Sequence, residues 1–289
     1  MNHISKTAYA VAMYRALESE RPDALFRDSH ARRLAGGQGQ LVVKILGNER
    51  QIANLIAVRT HLIDEVIERL VKTESIDTVL NLAAGLDMRP YRLSLPPTLR
   101  WIEVDFPSVC EYKTQTLDGE NPSCGLERIQ LDLTNIALRN NLFSKINGES
   151  CNVLILTEGL LSYFSERQVK QLADDLHRQA NFGWWMFEIL SPVALQQSAN
   201  DWSQKIANQY FADGKPIFRY APEVGFEFFQ TCHWSVVEVR SVWNASRRLK
   251  RGNWFASFLE FLLRCFDQKR WKALRNQNRI VLLKRQTII

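Results

Sequence analysis

The chain has 289 residues, 46% of them hydrophobic and 24% charged, which suits one large globular domain with a buried core. No apolar run approaches the roughly 18 residues that a membrane-spanning helix needs. Five scattered cysteines (Cys110, Cys124, Cys151, Cys232, Cys265), without a Cys-x-x-Cys pair or a Cys/His ligand spacing, argue against a zinc site or a disulfide framework. The net charge of +6 raises nucleic acid or an acidic substrate as partners. Much of the excess lies late in the chain, at Arg247, Arg248, Lys250 and Arg251 and again from Lys269 to Arg285. It reads as a solvated helical face, and no aromatic-interleaved RNA motif accompanies it, so nucleic-acid binding is not expected.

The first 75 residues read as a helical cap. Residues Ala8 to Glu18 form a helix that Pro22-Asp23 ends, and the opening stretch carries no export signal, so a cytoplasmic location is expected. A short helix over Ser29 to Leu34 is followed by a loop at Gly36-Gly37-Gln38-Gly39. From Asn54 to Thr73, apolar residues at Leu55, Val58, Leu62, Ile63, Val66, Ile67 and Leu70 make a helical stripe. Strands are then predicted at Thr78–Leu82, Leu99–Val104, Glu127–Gln130, Asn152–Thr157, Trp184–Leu190, Ser235–Val239 and Arg279–Leu283. Helices are predicted at Ser108–Leu117, Asn135–Lys145 and Ser165–Gln179, the last opened by a Ser165/Gln168 capping box.

This alternation predicts an α/β fold with a Rossmann-like, mostly parallel seven-stranded sheet, its last strand antiparallel, and helices on both faces. One domain is expected over 1–289. Residues 76–190 would form the cofactor-binding core, with 218–243 and 276–289 completing it. Insertions at 191–217 and 244–275 follow strand ends, where ligands bind in open α/β sheets. Each reads equally as a lid or as packing, the second as a helix on the sheet or a dimer face.

The stretch from Asp77 to Pro107 carries the most chemistry. A buried strand runs into the small-residue turn Ala83-Ala84-Gly85, and the next strand ends on Asp105. This is the layout of a nucleotide-binding half, with an acid placed for ribose hydroxyls. The turn holds a single glycine and is not Gly-x-Gly-x-x-Gly, so no loop is built to rest a pyrophosphate on a helix N-terminus. A cofactor without phosphates, such as S-adenosylmethionine, needs only one close backbone approach.

The residues Asn81-Leu82-Ala83-Ala84-Gly85-Leu86-Asp87-Met88-Arg89-Pro90-Tyr91-Arg92 resemble the NLGAGLDTRPYRL signature of the leucine carboxyl methyltransferase family, in particular bacterial members described as polyketide O-methyltransferases. Ser5-x-Thr7-Ala8, Arg59-Thr60 with Asp64, Trp101 to Pro107, Asp132-Leu133, and Glu158-Gly159-Leu160-Leu161-x-Tyr163 resemble its other motifs in the same order. The chain departs at Ala83, where the family has glycine, and at Met88, where it has threonine.

The resemblance implies an S-adenosylmethionine-dependent O-methyltransferase acting on a carboxylate or a phenolic hydroxyl of a small metabolite, such as a polyketide-type acid. Arg59 would pair with the cofactor's methionine carboxylate, a bidentate match for a guanidinium. Ala83 and Gly85 would approach its amino-acid part. Asp105 would accept from the ribose hydroxyls. For Asp132, with Leu133, two readings stand: the adenine contact and a cap near Thr134 and Asn135. Glu158 would sit by the ammonium or sulfonium. Tyr163, Arg89 and Arg92 would orient an acidic substrate, or else Arg89 and Arg92 would hold the loop while Tyr163 packs. A carboxylate acceptor is already nucleophilic, so proximity and desolvation would suffice. A phenol would need a base; His177 and His233 are the candidates, with His177 read as surface and His233 as structural. Trp184-Trp185 reads as strand core. The competing functions are a nicotinamide dehydrogenase, disfavoured by the turn, and a non-catalytic binder of adenosine cofactor or nucleic acid. No metal is expected, and the oligomeric state has no sequence signal.

Overall fold

The computed structural model describes residues 3–46, 49–192, 194, 219–221, 225–252 and 275–286. Most of the two insertions expected as lids therefore lies outside the described residues.

Seven strands form one sheet: β1 (Thr78–Leu82), β2 (Arg100–Asp105), β3 (Gly125–Gln130), β4 (Val153–Thr157), β5 (Trp184–Leu190), β6 (Trp234–Ser241) and β7 (Asn278–Arg285). Their spatial order is β3-β2-β1-β4-β5-β7-β6. The first five are parallel, while β7 runs antiparallel between β5 and β6. The order reverses direction at β1, and a crevice opens there beyond the strand ends.

The central strands β1, β2, β4 and β5 form because each is largely an apolar run buried on both faces, whereas the edge strands β3 and β6 are only partly buried. Residues of β1 alternate between the layers. Leu80 and Leu82 join Ile102, Val104, Phe143, Leu172 and Trp185 on one side. Val79 joins Trp101, Leu154, Met186, Leu62 and Val66 on the other. The first layer is closed by α6 (Ile136–Glu149) and α7 (Glu166–His177), the second by α3 (Glu49–Thr73). Trp184 and Trp185 are both buried, in agreement with the core reading. The Trp185 indole donates to Thr157 Oγ1 at 3.0 Å, which satisfies its one polar atom. The capping box at Ser165 and Gln168 is formed as predicted.

A third core lies under α1 (His3–Ser19) and α2 (Ala31–Leu46), where Met13, Tyr14, Leu34 and Met88 meet. Here the sequence reading needs correction. The Gly36–Gly39 stretch is not a loop over its whole length: Gly36 alone is non-helical, with φ +51°, and it kinks α2 into two helical segments. A Cβ on Gly39 would stand 2.8 Å from the Tyr9 carbonyl oxygen, so that glycine serves close packing of α2 on α1 rather than a turn. His177 is also misread as surface. It is buried, its ring tilted against His233 at 5.4 Å, with Nε2 at 3.1 Å from the Gln286 carbonyl.

The basic late segment is partly structural. Arg251 is buried, donating to Glu18 Oε1 at 2.7 Å and Asp23 Oδ2 at 2.9 Å, and so ties the helix Val242–Arg248 to the N-terminal cap.

Candidate active site

A cavity of about 410 Å³ opens at the strand ends, floored by the β1 turn and roofed by α1 and α3. Each predicted group reaches it, or fails to, for a local reason.

The turn after β1 works by its backbone. Gly85 has φ +53° and Ala83 φ +55°, both left-handed. Glycine takes that conformation freely; alanine takes it at a cost of roughly 1 kcal/mol. Ala83 thus keeps the family turn but under strain. Met88 occupies the N-cap of the short helix α4 (Arg89–Arg92) and makes no side-chain cap. Its side chain is fully buried instead, exchanging the hydroxyl expected there for core contact.

Asp105 ends β2 beside the turn. Its Oδ2 accepts from the Gly85 amide at 2.6 Å and its Oδ1 from the Phe106 amide at 2.7 Å. Burial raises its pKa, against the pull of those two amides. Each oxygen keeps a lone pair for a further donor. Asp132 is exposed at the cavity edge and caps Thr134, accepting from its amide at 2.9 Å and its hydroxyl at 2.7 Å. Asn135, not Asp132, is the N-cap of α6. Leu133 lines the wall alongside.

Arg59, from α3, spans the tips of β4 and β5. Its Nη2 lies 2.8 Å from Glu158 Oε1, and its Nη1 donates to both Glu188 oxygens at 2.9 Å. Arg59 lines the cavity, while its Nε is buried without a partner. Glu158 and Glu188 are neighbours by register, since Thr157 pairs with Phe187 just before them. Burial pushes both carboxyls up. For Glu158 the Arg89 and Arg59 guanidiniums outweigh burial and bring it below its usual value; for Glu188, Arg59 alone does not, and its pKa stays raised. Tyr163 also lines the cavity, its hydroxyl 3.2 Å from Thr7 Oγ1, and burial raises its pKa.

Arg89 and Arg92 are not on the cavity wall. This corrects their expected substrate-orienting role in favour of the loop-holding one. Arg89 is 1% exposed, with Nε donating to Asp64 at 2.7 Å and Nη1 to Asp87 at 2.9 Å and Glu158 at 2.7 Å. Arg92 clasps Asp64 with Nη1 at 2.7 Å and Nη2 at 2.8 Å and lies over the Phe26 ring. Their charges are consumed in pinning the turn to α3.

Sequence reasoning passes over Glu188. The signal was present, since WWMFEIL places an acid near the tip of an apolar run, as at Asp105 and Glu158. Its partner Arg59 lies 129 positions away, so the pairing itself is invisible in the sequence. Among the described residues no group of His, Cys, Asp and Glu is arranged to hold a metal ion.

The seven-stranded sheet with its inserted antiparallel strand defines a methyltransferase-type α/β fold. A Streptomyces avermitilis protein of the DUF574 family superposes with a TM-score of 0.58 over 95% of this chain and 96% of its own, at 11% identity. A Thermobifida fusca structure superposes at 0.57 over 96% and 94%, at 14% identity. Residues 8–177 match the leucine carboxyl methyltransferase family, and the chain belongs to it. Two relatives carry the name "Putative S-adenosyl-L-methionine-dependent methyltransferase". The one from Streptomyces coelicolor is 34% identical over 189 residues, and the one from Parafrankia sp. is 34% identical over 186. Each match takes in 61% of this chain, but only 65% and 59% of the respective relative's length.

Proposed function

We propose that the chain is an S-adenosylmethionine-dependent O-methyltransferase whose acceptor is a carboxylate or phenolic hydroxyl of a small metabolite. The observation that carries this is the convergence of Arg59, Gly85, Asp105 and Glu158 on one cavity from four separated family motifs. The bound cofactor supplies an activated methyl group on a sulfonium centre.

The remaining roles belong to the protein. Asp105 has a free lone pair on each oxygen for the two ribose hydroxyls, and its amide bonds fix its orientation. Asp132 and the Leu133 amide take the adenine edge. Arg59, on the cavity wall, offers its guanidinium to the methionine carboxylate while Nη1 and Nη2 also hold the two glutamates. Glu158 faces the ammonium. The left-handed turn at Gly85 leaves no side chain between backbone and ligand; a Cβ there would stand 3.4 Å from the Ala8 methyl, on the roof of the cavity. Apolar walls from Val11, Leu55 and Ile56 exclude water, which strengthens the electrostatics of a developing transfer.

Calorimetric titration with S-adenosylhomocysteine, NAD and single-stranded RNA separates this reading from a dehydrogenase and from a nucleic-acid binder. Heat is expected with the first alone. Absence of that heat refutes the reading.

A further inference from the structure

We propose that Glu188 is a general base and that the acceptor is therefore a neutral hydroxyl rather than an ionised carboxylate. The inference rests on the methyl-transfer reading above and selects between its two acceptors.

Position comes first. On that reading the ligand runs along the strand tips, with adenine at β3, ribose at β2, the amino-acid part at the β1 turn and Glu158 at β4. Glu188 stands on β5, the next strand over, about 5 Å further along the sheet. It lies on the same cavity wall, its side chain 11% exposed. Arg59 Nη1 uses one lone pair on each of its oxygens, and no other donor reaches them among the described residues. The second lone pairs stay available to an acceptor proton.

Charge decides the acceptor. The connected ion-pair cluster contains the guanidiniums of Arg59, Arg89 and Arg92 and the carboxylates of Asp64, Asp87, Glu158 and Glu188. Among the described residues three positive charges face four negative ones, so one negative charge there is uncompensated. S-adenosylmethionine carries one net positive charge, and its arrival neutralises the cluster. An ionised carboxylate acceptor would bring back a net negative charge in a desolvated place, beside Glu188, with both of the cations that line the cavity among the described residues already engaged. Those cations are Arg59 and Arg15, the latter held by Asp28 at 3.1 Å. A neutral phenol or alcohol adds no charge and supplies a proton that Glu188 can accept.

The step then balances. The acceptor oxygen forms its bond to the methyl carbon, and the carbon–sulfur bond breaks with its pair going to sulfur. The hydroxyl proton passes to a Glu188 oxygen. The sulfonium charge and the Glu188 charge disappear together, and the cluster is neutral before and after. The raised pKa of Glu188 makes it a stronger base than an ordinary carboxylate.

The test uses the full chain with methyl-labelled S-adenosylmethionine and a small-molecule extract. Mild alkali releases methanol from methyl esters and leaves methyl ethers intact. Alkali-stable label is expected from the wild type. Glu188→Gln is expected to transfer at least about 100-fold more slowly, the lower end of a general base's contribution. Its dissociation constant for S-adenosylhomocysteine is expected to stay within about threefold of the wild type, because the Gln carbonyl still accepts from Arg59. Glu188→Asp, which keeps a carboxylate, restores part of the rate and controls for folding. Alkali-labile label, or Glu188→Gln at full rate, overturns the inference and leaves the methyl-transfer reading standing. Loss of S-adenosylhomocysteine binding by the wild type, or binding without any transferred label, overturns both.

Discussion

Arg89→Met tests whether the buried guanidinium holds the cofactor turn together. Arg89 is 1% exposed and makes ion-pair contacts of 2.7 to 2.9 Å with Asp64, Asp87 and Glu158. Methionine fills much of the volume but leaves Asp87 without its principal cation and Glu158 with Arg59 alone. Removing one partner of a buried pair costs about 3–5 kcal/mol, because the other charge stays desolvated. At roughly 2–4 °C per kcal/mol for a domain of somewhat smaller size, the melting temperature should fall by about 10 °C. The pH dependence has a definite sign. In the wild type, burial raises the Asp87 and Glu158 carboxyls, but Arg89 with its neighbouring guanidiniums holds both below their ordinary values. They contribute stability above the unfolded carboxylate range, about pH 4, and that contribution is lost as pH falls further. Without Arg89, burial dominates and the folded pKa values rise above the unfolded ones. The variant's deficit should then be largest at neutral pH and shrink as pH falls towards 5. Scanning calorimetry at pH 7.5, 6 and 5 reads both effects. A melting temperature within 2 °C of wild type at pH 7.5, or a deficit that grows on acidification, would refute the hub reading.

Three further outcomes follow from the same geometry. Asp105→Ala removes the acceptor of the Gly85 amide as well as the ribose contacts, so affinity for S-adenosylhomocysteine should drop at least 30-fold, about 2 kcal/mol; titration showing unchanged affinity removes Asp105 from the site. Ala83→Gly relieves about 1 kcal/mol of left-handed strain and loses about 0.4–1 kcal/mol to a freer unfolded chain. Its chemical denaturation midpoint should therefore barely move, and a destabilisation above about 2 kcal/mol would mean the methyl group is a packing element. Lys113→Met strands Glu103, which Lys113 meets at 2.7 Å in a buried pair; Arg128 Nε still reaches Glu103 at 3.0 Å, so the loss in urea unfolding should be nearer about 3 kcal/mol than 5, and no loss would contradict the burial argument.

The middle of the sheet was readable because β1, β4 and β5 are nearly continuous apolar runs. β1 and β5 have the predicted limits, and the others differ at their ends, where pairing partners set the boundary. α7 was readable because its capping box is local. The Gly36–Gly39 stretch was not, because the reason for Gly39 is the Tyr9 carbonyl on another helix, a contact no local pattern encodes. The same division runs through the site. Gly85, Asp105 and Glu158 announce themselves at strand ends. Arg89 and Arg92 look similar in sequence to ligand-binding cations, and only their tertiary partners reveal that their charge is spent. Glu188 required the β4–β5 register to bring it beside Glu158.

The place of β7 has a consequence for synthesis. β5 is the apolar strand WWMFEIL, and the neighbour on one of its edges is β7, which is made after β6. A growing chain that already contains β1 to β5 therefore carries an unpaired, sticky edge until residues 278–285 have emerged. β6 cannot shield it, because β6 joins the sheet only through β7. The half-made protein is thus an edge-to-edge aggregation hazard of the kind chaperones bind during translation.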